Sequence, residues 1–194
     1  MMRPNESSMS DEEAVALALK EKAFFGHIVV RYQGKLAAYI RRLGVRNEDD
    51  QKDVLQEIFI KVYKNLQGFD TSLSFSSWIY RIAHNEAISW YRRNNVRPEG
   101  HLVGESENIL ALLAGNEDSA EKQFDATINA EEVNRALSRI NQRYRDALIL
   151  RFFEHKEYEE ISDILKIPPG TVGTLIHRGK QELKKELQAS HLRI

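Results

Sequence analysis

Apolar residues fall at helical spacing along most of the chain, and the clearest case lies towards its C-terminal end. Tyr158, Ile161, Ile164 and Leu165 recur at helical intervals before Lys166, Ile167, Pro168, Pro169 and Gly170 break the pattern. Proline lacks an amide donor and suits a turn or a first helical position, so a second helix must start there. Val172, Ile176, Gly179, Leu183 and Leu187 then step by three or four residues along one face. Thr171, Thr174, His177, Arg178, Lys180, Gln181, Lys184 and Lys185 are left outside. A buried stripe backed by a polar, basic face fits a DNA-binding helix-turn-helix, and it fits equally a bundle hairpin with solvated charges.

Upstream, Phe25, Ile28, Tyr32, Leu36, Tyr39, Ile40 and Leu43 mark one face of a helix that Gly44 can end. Asn47 or Asp49 can cap the next helix, whose stripe is Val54, Leu55, Ile58, Phe59, Val62, Tyr63 and Leu66. Asp53, Gln56, Glu57 and Lys61 form its exposed face. Gly68, Asp70, Thr71 and Ser72 read as a loop, and a third helix starts near Ser76 or Ser77 and runs to about Arg93. In that helix Trp78, Tyr80, Trp90 and Tyr91 alternate with Arg81, His84, Asn85, Arg92 and Arg93. Such interleaving suits unstacked bases, which lie on aromatic rings for about 1–3 kcal/mol each while arginine follows the backbone. The same rings also suit a core, the expected place of Trp78, and Arg92 with Arg93 suits a helix C-terminus. Residues 94–125 lose the amphipathic period and read as a linker, within which 109–114 is apolar enough for a helical turn or a docking contact. Val133, Leu137 and Ile140 open a second helical module, in which Asn141 caps a helix over 143–153.

Composition narrows these readings. A chain of 194 residues with 42% hydrophobic content can form one large core or two small ones, and the helical texture favours two. It has no cysteine, which excludes disulfides and thiolate sites. No apolar run reaches the roughly 20 residues that span a bilayer, and polar, acidic residues 1–13 carry no signal-peptide core. The expectation is a cytoplasmic protein without membrane insertion and with a frayed N-terminus. A net charge of −1 argues against tight DNA binding by counterion release alone. Catalytic motifs are missing: there is no phosphate-binding glycine loop, no nucleophile elbow and no paired-histidine metal motif. His84, His155 and His177 are expected at the surface or at caps. The pairs Glu12 with Glu13, Glu131 with Glu132, and Glu159 with Glu160 are expected at helix starts. No catalytic residue, metal or cofactor is assigned.

With both modules in view, the chain resembles bacterial RNA polymerase sigma factors of the small extracytoplasmic-function (ECF) group of the sigma-70 family. Asp50, Asp53 to Ile58, Phe59, Lys61, Val62 and Tyr63 look like the region that docks on the polymerase. Phe75, Trp78, Ile79, Tyr80, Arg81, Ile82, Ala83, Asn85, Ala87, Ile88, Arg92 and Arg93 look like the segment that melts and reads the minus-ten element. Tyr158, Glu159, Glu160, Ile161, Pro168, Gly170, Thr171, Val172, His177 and Arg178 look like the module that reads the minus-thirty-five element. The resemblance implies an all-α fold of two small helical domains joined by a flexible linker, the second containing a helix-turn-helix. Its implied bounds are a tail and helix start at 1–23, region 2 at 24–93, a linker at 94–129 and region 4 at 130–194.

Implied partners are core RNA polymerase (clamp helices of the largest subunit, flap of the second), promoter DNA and an anti-sigma factor. Implied polymerase contacts are Asp50, Asp53, Gln56, Glu57 and Phe59. Phe75, Tyr80, Arg81, Asn85, Arg92 and Arg93 would meet minus-ten DNA, and Thr171, Thr174, His177, Arg178 and Lys180 minus-thirty-five DNA. The chain departs from the family where Gly173, Thr174 and Leu175 replace a basic, serine, basic run, where Ser89 replaces a frequent Asp, and where Glu157 replaces a capping Ser. Gly173 and Gly179 should each cost about 1 kcal/mol relative to Ala unless close packing or DNA approach requires them. A stand-alone helix-turn-helix regulator of duplex DNA and a helical protein-interaction adaptor are the alternative readings.

Overall fold

The structure, a computed structural model, describes residues 9–94 and 130–191. The chain divides into two compact units, the first built mainly from Met1–Arg41 and Val45–Val96, the second mainly from Arg97–Ser162 and Lys166–Ile194. Among the described residues the regular elements are α-helices and short 3-10 segments, with no strand. The expected linker, with its apolar stretch 109–114, lies outside the described residues.

The first domain begins earlier than its hydrophobic stripe suggests. Helix α1, Asp11–Lys20, opens on a reciprocal cap: the Ser10 hydroxyl accepts from the Glu13 N–H at 3.2 Å, and the Glu13 carboxylate accepts from the Ser10 N–H at 2.8 Å. Ala14, Val15 and Ala18 are buried. Asp11 accepts from the Arg31 guanidinium at 2.8 Å and from the Tyr32 hydroxyl at 2.5 Å. Glu12 and Glu13 thus stand in the first turn of a helix, as expected, and the caps and a buried tyrosine hold that turn.

After a 3-10 turn at Lys22–Phe24, helix α2, Phe25–Leu43, buries Ile28, Tyr32, Leu36, Tyr39, Ile40 and Leu43. Gly44 follows at φ 120°, a conformation closed to most side chains, and the helix stops there as its spacing predicts. Helix α3, Glu48–Asn65, is capped by Asn47, whose side chain accepts from the N–H groups of Asp49 and Asp50 at 2.8 and 3.3 Å. Val54, Ile58 and Val62 are buried and Leu66 continues the stripe in the 3-10 turn Leu66–Gly68. That stripe is narrower than the letters suggest: Leu55 and Phe59 are half-buried and Tyr63 is exposed. Helix α4, Phe75–Asn94, starts under a Ser74 cap, whose hydroxyl accepts from the Ser77 N–H at 3.2 Å, and packs against α3 and α1.

In the second domain, α5 spans Ala130–Arg139 and α6 spans Gln142–Phe152, with Asn141 accepting from the Arg143 N–H at 2.9 Å. Helix α7, Tyr158–Leu165, has no serine cap, but the Glu160 carboxylate accepts from the Glu157 N–H at 3.0 Å. Lys166 turns the chain at φ 55°, and α8, Pro169–His191, begins at the proline pair. Val172, Ile176, Gly179, Leu183 and Leu187 are all buried as α8 packs on α5 and α6. Gly179 is explained by that packing, since a Cβ there would lie 3.1 Å from Leu148 and 3.2 Å from Tyr144. At Gly173 a Cβ would meet only Tyr158 Cε2, at an ordinary 3.5 Å.

Candidate functional site

The outer face of α3 carries Asp53 and Gln56 exposed, with Asp50, Glu57 and Phe59 half-buried. Ile60 and Tyr63, each 43% exposed, place apolar surface beside these acids and amide. Glu57 is not simply solvated: its carboxylate pairs with Arg93 of α4 at 2.9 Å, and this partner raises the Arg93 pKa. Residues drawn from two different expected contact sets are thus joined in one ion pair.

On α4 the structure sorts the aromatic and cationic residues by burial. Arg81, Asn85 and Arg92 recur four and seven residues apart, which brings them to one side of the helix, with Asn85 and Arg92 exposed and Arg81 half-buried. Phe75 and Tyr80 go the other way, into the core. They are 2% and 3% exposed, Phe75 between Tyr32 and Phe69, Tyr80 with its ring centroid 5.1 Å from that of Tyr39, so neither ring offers a face to a base. Trp78 is half-buried on Phe69, with centroids 5.0 Å apart. The loop before α4 is held by Asp70, which accepts from the Ser72 N–H at 3.0 Å and hydroxyl at 2.8 Å, bonds that lower its pKa. Leu73 stands 53% exposed beside that turn, a residue the polar loop reading passed over.

His84 is half-buried, its Nδ1 3.1 Å from the Tyr39 hydroxyl, and burial holds its pKa down to about 4. Its position between Ala83 and Asn85 does not state which side of α4 meets α2. His155, at φ 52°, and His177 are exposed as expected.

In the helix-turn-helix, Thr171, Thr174, His177 and Arg178 are exposed along α8. His177 bonds Gln181 at 3.0 Å. Lys180 does not share this surface cleanly: it is half-buried, with Nζ 4.6 Å above the Phe152 ring, and burial lowers its pKa. Arg151 lies 5.4 Å above the Tyr158 ring and pairs with Glu157 at 2.9 Å, a platform at the start of α7 that the spacing did not suggest. Among the described residues no group of His, Cys, Asp and Glu could hold a metal ion, and no helix is long and apolar enough to cross a membrane.

Two all-α units, the second carrying a helix-turn-helix, define a DNA-binding protein of the transcription machinery once they are compared with known proteins. Residues 28–97 match the family Sigma-70 region 2, and residues 130–183 match Sigma-70, region 4. The ECF RNA polymerase sigma factor SigW of Bacillus subtilis is 32% identical over 169 residues, covering 84% of this chain and 89% of that protein. The ECF RNA polymerase sigma-E factor of Haemophilus influenzae is 33% identical over 177 residues, covering 87% and 89%. In fold, the chain is similar to CnrH solved in complex with the cytosolic domain of CnrY, with a TM-score of 0.67, 23% identity, and coverage of 92% of this chain and 97% of that one. The sigma factor RpoE from Bartonella quintana, solved with the anti-sigma factor NepR, gives 0.60 at 20% identity, covering 84% and 96%. The chain belongs to the sigma-70 family, in its ECF group of RNA polymerase sigma factors, a family of non-enzymatic transcription initiation factors.

Proposed function

We propose that this sigma factor docks on the clamp helices of the largest polymerase subunit through the outer face of α3, using Asp50, Asp53, Gln56, Glu57 and Phe59. Its second domain meets the flap of the second subunit. The loop from Gly68 to Ser74 and the exposed side of α4, with Arg81, Asn85, Arg92 and Arg93, take the opened minus-ten strand, while Thr171, Thr174, His177 and Arg178 of α8 read the minus-thirty-five element in the major groove. The observation that carries this reading is the sorting of α4: its cationic and amide groups stand out while Phe75 and Tyr80 are withdrawn into the core. A net charge of −1 supports a division of labour in which the polymerase supplies much of the affinity for DNA and this chain supplies choice of sequence. The sigma factor RpoE of similar fold, solved with the anti-sigma factor NepR, supports an anti-sigma partner here.

Adding the purified chain to sigma-free core polymerase should give specific initiation at a cognate promoter. Specific duplex binding by the chain alone, with no core-dependent initiation, would sink the proposal. Gly173 and Leu175 remove two groups able to contact phosphates or bases, so selection from a randomised promoter library should return a divergent minus-thirty-five motif.

A further inference from the structure

Helices α3 and α4 are joined by alternating charges. Glu86 of α4 is 3% exposed; one of its carboxylate oxygens accepts from Lys61 Nζ of α3 at 2.5 Å, and the other, Oε2, is buried with no hydrogen-bond partner among the described residues. Two turns further along α4, Arg93 pairs with Glu57, one turn before Lys61 on α3, and lies within the field of Glu86. A half-satisfied buried carboxylate is a costly way to fasten two helices, because an apolar side chain of similar volume generally holds them as well or better. What the charge adds is direction: an apolar contact tolerates sliding, whereas Lys61 and Glu86 meet at one register only. The two helices so fixed are the one proposed to meet polymerase and the one proposed to meet the opened strand, and Asn85 is the neighbour of Glu86 in the chain.

We infer that Glu86 is a positioning residue for promoter opening: by holding Lys61 it sets α4 on α3 so that Asn85 and Arg92 are presented at a fixed place relative to the docked polymerase. This rests on the function proposed above. The test uses the full chain with sigma-free core polymerase, comparing wild type with Glu86→Leu, Glu86→Gln and Lys61→Met by thermal melting, affinity for core and rate of minus-ten opening. Glu86→Leu should melt no lower than wild type and bind core with unchanged affinity, yet open the promoter about tenfold more slowly. Glu86→Gln keeps an acceptor for Lys61 without the charge and should fall between. Lys61→Met should slow opening as Glu86→Leu does, and the double variant should open no more slowly than either single one.

Wild-type opening by Glu86→Leu would overturn the inference. So would additive losses in the double variant, or a parallel fall in melting temperature, core affinity and opening, which is the signature of a damaged fold. If the wild-type chain itself fails to initiate with core, the proposed function falls and this inference with it. If wild type initiates and the variants match it, only the inference falls.

Discussion

Gly173 and Gly179 of α8 answer different demands, and a methyl group separates them. At Gly179 an added Cβ would press on Tyr144 Cβ at 3.2 Å, an atom anchored directly to the backbone of α6, so the helix would have to move. Gly179→Val should cost about 1–3 kcal/mol through overpacking. At Gly173 the space is ordinary, so Gly173→Ala should recover up to about 1 kcal/mol of helix propensity and raise the melting temperature by a few degrees. Thermal melting of both variants checks the pair; a stabilising Gly179→Val would contradict the packing argument. Single residues are also where the letters were least legible. Tyr80 and Phe75 carry the chemistry of a base platform and of a core equally well, and only the arrival of Tyr39, Tyr32 and Phe69 decided for the core. Lys180 occupies an outward position by spacing, but its long apolar stem lets the ammonium fold back over Phe152.

At the scale of elements the chain was far more readable, because starts and stops have local causes. Asn47, Asn141, Gly44 and the Pro168–Pro169 pair each act within one turn of themselves, and the helices begin and end where they stand. Helix α1 was legible only at its start: Glu12 and Glu13 mark a first turn and Ser10 with Glu13 has the spacing of a reciprocal cap, but the stripe behind them is mostly alanine and reads weakly. Two predictions belong here. Asn47→Ala removes an acceptor from the N–H groups of Asp49 and Asp50 and should destabilise the first domain by about 1 kcal/mol in a denaturant melt. Arg178→Ala, on the exposed face of α8, should weaken holoenzyme binding to promoter DNA and flatten its salt dependence by about one counterion. Identical binding across a salt series would remove Arg178 from the DNA-facing set.

For the whole molecule, two ionisable groups make the domains respond to pH in opposite senses. His84 in the first domain has its pKa lowered from 6.5 to about 4 by burial. Its contribution to stability is therefore complete above 6.5 and is lost as pH falls through about 4. Asp146 in the second domain has its pKa raised from 3.8 to about 7 by burial, against an opposing pull from the Arg145 guanidinium. Its contribution is complete below 3.8 and is lost as pH rises through about 7. Acidification across this interval should thus weaken the first domain while strengthening the second. The chain offers a convenient reporter, since its two tryptophans, Trp78 and Trp90, both lie in the first domain. The denaturation midpoint followed by tryptophan fluorescence should fall as pH drops from about 7 to about 5, and backbone amide protection in α6 should rise over the same range. His84→Gln should flatten the first response and Asp146→Asn the second, each leaving the other domain's profile in place. A common shift of both domains in one direction would mean that these two groups do not govern the pH dependence.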